Sequence, residues 1–215
     1  LIWDVVDAWP QPYGNEWDEA ACKQWLANEV ERIKPVGFIA ATKQMASDLA
    51  VFGLPILWLP HHYRPWNGTN EIRKEVKVIG YEGGAAYIEA WRPTIEKVCR
   101  QVGASFVVNP MRLVDLDIVL ALRGATGYAP RKWKSGVKMS NAHGTGTPFI
   151  GSPEAGYLEL ATGLECWADK FEDLAPAVAS LMDRDHRVHI QEEFLKARFS
   201  LEEAAGRLKD WLGRF

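Results

Sequence analysis

The stretch Lys134–Glu159 reads KSGVKMSNAHGTGTPFIGSPEAGYLE. Its spacing predicts a helix over Lys134–Thr145, in which Lys134 and Lys138 fall one turn apart on one face. A Gly146-Thr147-Pro148 turn leads into a short apolar strand at Phe149 and Ile150. A small-residue loop follows, Gly151-Ser152-Pro153-Glu154-Ala155-Gly156, closed by Tyr157 and Glu159. Cations, backbone amides and carboxylates therefore lie within one short passage. That is the inventory needed to hold a charged, polyhydroxylated ligand.

Outward from this stretch, apolar runs alternate with segments of helical period. Toward the N-terminus the predicted strands are Leu1–Val6, Gly37–Ala41, Ile56–Leu59, Val76–Gly80, Ser105–Val108 and Asp117–Leu122. Predicted helices lie between them at Trp17–Ile33, at Lys43–Val51 and from about Arg92, where Pro93 suits a first turn. Trp9–Asn15 and Arg123–Trp133 read as loops. Downstream, Leu164–Trp167 is a last short strand and the chain is then helical. Phe171, Leu174, Val178 and Leu181 make one inward stripe, and Leu201, Ala204, Leu208, Trp211 and Leu212 make another behind a Ser200–Glu203 capping box. Strands alternating with helices through short connections define an α/β fold, a Rossmann-like doubly wound parallel sheet. Pro60–Gly68, with two prolines and no periodicity, divides the chain into residues 1–65 and 66–215.

Bulk properties exclude several classes. A net charge of −3 supplies no electrostatic drive toward nucleic acid. No apolar run approaches the roughly 20 residues of a membrane span, and residues 1–10 lack a basic leader pattern, so the reading expects a cytoplasmic protein without a transmembrane segment. Cys22, Cys99 and Cys166 are odd in number and far apart, which argues for free thiols. His61 and His62 diverge as neighbours, and His186 and His189 lack a third ligand, so no metal site is expected. Two of the ten tryptophans, Trp66 and Trp133, sit in polar stretches and are candidates to line a cleft.

The order of elements and four passages resemble the C-terminal, nucleotide-sugar-binding half of GT-B glycosyltransferases, chiefly their glycogen-synthase-like, group 1 branch. The passages are Asp18–Arg64, Val76–Gly84, Lys134–Glu159 (through Lys134, Ser135, Lys138, Ala142, Gly146, Pro148, Ile150, Gly156 and Glu159) and Phe171–Leu212, with its F-S-x-E-x-A phrase at Phe199–Ala204. A glutamate pair that many retaining members carry is replaced by Trp133 and Asn141. The resemblance implies a metal-independent hexosyltransferase with no cofactor. Its donor is a nucleotide-diphosphate sugar, UDP- or GDP-linked, and its acceptor is a glycan, a lipid-linked saccharide or a small molecule. Residues 1–65 correspond to the end of the acceptor-side Rossmann-like domain, and residues 66–215 to the donor domain with closing helices.

On that basis Lys138 and Lys134 are the candidate catalytic cations, offsetting charge on the departing diphosphate. Gly83 and Gly84, after a strand and before a helix, let backbone amides approach a phosphate. Ser152, Glu154, Gly156 and Tyr157 form the loop that wraps the sugar or diphosphate, and Glu159 matches the family's ribose-binding carboxylate. Asn109 and Arg123 follow strands at the same edge, and His143 lies near the end of the lysine helix. Two other readings stay open: a nucleotide-sugar epimerase of the same fold, and a non-catalytic nucleotide-binding module. Each lysine, glycine and glutamate also has an ordinary role available, as solvated helix face or tight turn.

Overall fold

The computed structural model describes residues 1–5, 16–65, 68–124 and 126–215; the loop expected at Trp9–Asn15 and the cleft residue Trp66 lie outside them. Helix ends follow local capping chemistry. Asp18 accepts a bond from the Ala21 amide and opens α1 (Glu19–Ile33), which closes at Lys34 in a left-handed conformation just before Pro35. Thr42 caps α2 (Lys43–Leu49) through the Met45 amide. Pro93 sits in the first turn of α4 (Arg92–Val102), as its missing N–H allows, and α3 (Ala85–Ile88) is the preliminary turn before it. Ser200 and Glu203 close a reciprocal capping box on α10 (Leu201–Leu212).

The strands form two all-parallel sheets. The first is ordered β1 (Ile2–Asp4), β2 (Gly37–Ala40), β3 (Ile56–Trp58). The second runs β5 (Ser105–Val108), β4 (Val78–Tyr81), β6 (Ile118–Ala121), β7 (Phe149–Gly151), β8 (Cys166–Trp167). From β4 the chain moves outward to β5, then returns to β6 on the other side. Connections therefore leave in opposite directions at the β4/β6 boundary, which opens a crevice at the C-terminal ends of those strands.

Beyond β6 come α5 (Tyr128–Lys132), α6 (Val137–Thr145) and α7 (Ala155–Leu158), then α8 (Leu174–Ser180) and α9 (Arg184–Ala197). The segment between β3 and β4 is bound to the second sheet. The Asn70 amide N–H donates to Thr145 O, its side chain donates to Leu116 O and Thr147 Oγ1, and Arg73 pairs with buried Asp117 at 3.0 Å.

Two apolar cores correspond to the two sheets. The larger joins Ile79, Ile118, Leu120, Phe149, Ile150 and Tyr157 to Ile95, Val178, Ile190 and Phe194. The smaller gathers Cys22, Leu26, Phe38, Met45 and Leu49, and it includes Ala129 and Trp133 from the second half of the chain. The last helix also returns to the first sheet, where Trp211 and Phe215 lie against Gly37.

Several expectations change. Arg123–Trp133 is not all loop, because α5 occupies 128–132. Trp133 does not line a cleft: it is fully buried, against Trp25 and Tyr128, and a whole indole removed from water outweighs its polar flanks in sequence. The lysine helix starts at Val137, so Lys134 precedes it and does not share a helical face with Lys138. Gly136 sets that boundary, since the carbonyl of Gly156 packs where a Cβ on residue 136 would sit, 2.3 Å away. Phe171, Leu201 and Leu212, expected inward, remain roughly half exposed.

Candidate functional site

The crevice at the β4/β6 boundary is where the candidate residues meet. β4 ends in Tyr81, and the chain continues through Glu82-Gly83-Gly84 into α3. Gly83 takes φ +148°, which a side chain would resist, and its N–H donates to Asn109 Oδ1 at 2.8 Å. Asn109, just past β5, is itself left-handed at φ 53°, a conformation its short polar side chain tolerates. The two loops are thus locked to each other at the strand ends.

Across the crevice, β6 delivers Arg123 and β7 delivers Glu154. Arg123 Nε donates to Glu154 Oε1 at 2.5 Å, both side chains being nearly buried. Burial pushes the Glu154 carboxyl up, opposed by Arg123. Burial also works against charge on Arg123, but Glu154 and Tyr157 outweigh it and leave that group above its ordinary value. Among the described residues, Glu154 Oε2 has no hydrogen-bond partner, although it is buried. Tyr157 is buried beside this pair, its hydroxyl pushed well up by burial and then by Glu154.

Lys138, in the first turn of α6, completes the group. Its Nζ lies 5.3 Å from the centroid of the Tyr81 ring. Burial, followed by the nearby Arg123 charge, lowers its pKa to about 8, with Lys134 acting in the same direction and Glu154 and Glu82 opposing. Partly buried cations held close together in this way are what an anionic ligand relieves.

Three residues given no site role in the sequence frame the same crevice. Glu82 forms an ion pair with Arg64, from the segment before β4, and accepts from Asn141 Nδ2 at 3.3 Å. Asn141, fully buried on α6, also accepts the Arg64 amide at 3.0 Å. No local pattern marks these contacts, since Arg64, Glu82 and Asn141 come from three distant segments. The position of Glu82 inside the glycine loop was the one available signal.

Other expected site residues have different surroundings. Ser152 Oγ accepts the Arg123 amide and bonds to Ala168 O, while its own N–H donates to Ala121 O, so it ties β6, β7 and β8 together. Gly156 packs on Lys134 O, where a Cβ would come within 2.3 Å. Glu159 sits apart from Lys138. Its carboxylate accepts the backbone N–H groups of Lys43 at 2.6 Å and Gln44 at 3.2 Å. Half-burial pushes it up, and those two bonds oppose the shift. His143 bonds to buried Glu165 at 3.1 Å and lies against Phe194, turned into the core. Among the described residues no group of three His, Cys, Asp or Glu side chains is placed to hold a metal ion, and no helix is long and apolar enough to cross a membrane.

A doubly wound sheet with a ligand crevice at its switch point, followed by helices that cross back to a preceding parallel sheet, is the GT-B arrangement. Solved structures of GT-B glycosyltransferases share it with this chain. HepE of Anabaena, solved with UDP and glucose, superposes with a TM-score of 0.70 at 10% identity, over 100% of this chain and 72% of its own. TarM gives 0.64 at 14% identity, over 91% of this chain and 47% of its own. The sucrose-phosphate synthase of Thermosynechococcus elongatus gives 0.60 at 13%, over 91% and 62%. The chain therefore spans about half the length of some of the structures it matches. No family model and no curated protein matches it by sequence.

Proposed function

We propose that this chain is the donor-binding portion of a glycosyltransferase that takes a nucleotide-diphosphate sugar, UDP- or GDP-linked, and passes the sugar to a glycan, a lipid-linked saccharide or a small molecule. The observation that carries this reading is the gathering of Lys138 and Arg123, with Lys134 close by, beside Tyr81, the strand end that leads into the Gly83-Gly84 loop. A diphosphate carries two to three negative charges, so cations of this number can neutralise it without a metal ion. Lys138 and Lys134 meet the phosphate oxygens and the charge that develops on the leaving group. Gly83 and Gly84 allow close backbone approach. The unpartnered Glu154 Oε2 accepts a sugar hydroxyl, with Tyr157 holding the loop behind it. Gly156 and Ser152 serve by shaping that loop. Residues 1–65 form the end of the acceptor-side domain and residues 66–215 the donor domain. HepE, solved with UDP and glucose, supports the donor class by its shared fold.

Isothermal titration with UDP, GDP and their glucose conjugates tests the reading. At least one diphosphate binds the parent chain, and Lys138→Ala weakens it by about tenfold or more, as loss of one buried charge-assisted contact requires. Absence of binding to every diphosphate, or a Lys138→Ala variant equal to the parent, overturns it. An epimerase of this fold calls for a carboxylate and a histidine aimed at the sugar, whereas His143 is bonded to Glu165 inside the core.

A further inference from the structure

The second sheet ends on one side at β5, whose outer edge pairs with no strand among the described residues. Doubly wound sheets commonly carry a third strand outside the second. Here β4 and β5 hold the first and second places, and the chain passes from β5 to β6 through residues 109–117, which supply no strand. β5 is also the longest of the edge strands, with four residues against three in β1 and β3 and two in β8. Its sequence, Ser105-Phe106-Val107-Val108, holds no charge and no proline, the usual guards of a free edge. The Ser105 and Asn109 amides donate inward, to Lys77 O and Tyr81 O. Alternation along the strand then turns the N–H and C=O groups of Phe106 and Val108 outward.

A groove of about 420 Å³ runs beside this edge, between β5 and α4. Phe106, Val108 and Cys99 give it apolar walls, and Arg92, Glu96 and Arg100, four apart on α4, give it a charged one. Arg92 pairs with Glu89 at 3.0 Å and lies 3.9 Å from Glu96. Arg100 is exposed, and no ion pair holds it among the described residues. The stripe therefore presents a loosely held carboxylate and an unused guanidinium one helical turn apart.

We infer that this edge is an interface at which a second copy of the chain adds its own β5, antiparallel, about a two-fold axis through Val107. In that register Phe106 of each copy faces Val108 of the other, and their outward N–H and C=O groups satisfy one another. α4 runs back along β5 and ends at Val102, just before it. Two strand residues rise about as far as four or five helical ones, so the same axis crosses α4 near Val98. Arg100 of one copy then stands opposite Glu96 of the other, and symmetry makes the pair twice. The surface complements itself in hydrogen bonds and in charge, which favours a second copy over an unrelated partner. It lies across β4 from the β4/β6 crevice and does not rest on the glycosyltransferase reading.

Sedimentation velocity from low to high micromolar concentration tests the interface, and the parent chain shows a monomer–dimer equilibrium. Arg100→Glu sets carboxylate against carboxylate across the axis and weakens the dimer by about tenfold or more. Adding Glu96→Arg to that variant exchanges the charges and restores the dimer, which a folding defect would not do. Val108→Pro removes an outward N–H that the β4 ladder does not use, and leaves a folded monomer. Lys138→Ala still dimerises, which separates the interface from the crevice. In the parent, hydrogen exchange at the Phe106 and Val108 amides slows as concentration rises. The inference is overturned by a monomer at every concentration, by a dimer indifferent to Arg100→Glu or to Val108→Pro, by a charge exchange that stays monomeric, or by exchange at those two amides that ignores concentration.

Discussion

Asp48 Oδ2 accepts a hydrogen bond from Trp133 Nε1 at 2.8 Å, across 85 positions of sequence. The same oxygen accepts the Tyr128 hydroxyl at 2.8 Å, while Oδ1 takes Gln44 Nε2 at 3.2 Å and lies 3.4 Å from Lys23 Nζ. One buried carboxylate on α2 therefore pins the chain that leads into the lysine-bearing helix. Asp48→Ala strands an indole N–H and a phenol in an apolar core, and we expect a loss of about 2–4 kcal/mol. Asp48→Asn keeps an acceptor and recovers part of it. Urea denaturation reads both, and a loss below about 0.5 kcal/mol for the alanine variant contradicts the pinning role.

The depressed Lys138 pKa of about 8 makes diphosphate binding depend on pH. Below pH 8 the lysine is charged and meets the diphosphate directly. Above it, each binding event must first take up a proton, so affinity weakens by up to about tenfold per pH unit. Near pH 9, titrations in buffers of different ionisation enthalpy show close to one proton taken up on binding UDP. Lys138→Ala abolishes this uptake. Stability shows the complementary sign: the unfolded chain binds more protons between pH 8 and about 10.4, so the Lys138 contribution to stability rises with pH in that window. Proton uptake that survives in Lys138→Ala would assign the effect to another group.

Glu165 gives the opposite dependence. Burial pushes its carboxyl up, but bonds from His143 and from the Thr162 amide outweigh burial and hold it at about 2. Its contribution to stability is complete above about pH 4.5 and is lost as pH falls toward 2, amounting to about 2–3 kcal/mol. Glu165→Gln should lower stability at pH 7 and flatten the stability profile between pH 4.5 and 2. Equal slopes in parent and variant over that range would remove Glu165 from the account of acid sensitivity.

Gly156 and Gly206 form a matched pair of tests. A Cβ at 156 meets Lys134 O at 2.3 Å and Gly136 N at 2.8 Å, both backbone atoms that cannot turn aside. Gly156→Ala therefore pushes α7 from the segment before α6 and is expected to destabilise the fold by about 1–3 kcal/mol. A Cβ at 206, inside α10, meets nothing within 4 Å. Gly206→Ala should stabilise by up to about 1 kcal/mol through helix propensity alone. Differential scanning calorimetry compares the two, and a destabilised Gly206→Ala would show that the α10 surface is not as open as described.

By itself, the sequence determined the alternation of strands and helices, most capping residues and the parallel-sheet class. These depend on interactions within a few residues, which periodicity and cap chemistry record. It also placed Gly83, Gly84, Asn109, Arg123 and Glu154 at one sheet edge, because strand ends and the loops after them share that edge in any parallel sheet. Only the tertiary structure decided what each group does there. Trp133 looked like a loop residue and is core, because its burial partners Trp25 and Asp48 lie about a hundred residues upstream. Lys134 lies outside the helix, which starts at Val137, and its carbonyl packs against Gly156. Glu159, expected to face a ribose, accepts amides at the start of α2, 115 and 116 residues away, a contact no local pattern records. Long-range burial and hydrogen bonding outweigh local pattern at such positions, since each buried polar group takes the partner that the assembled fold brings to it.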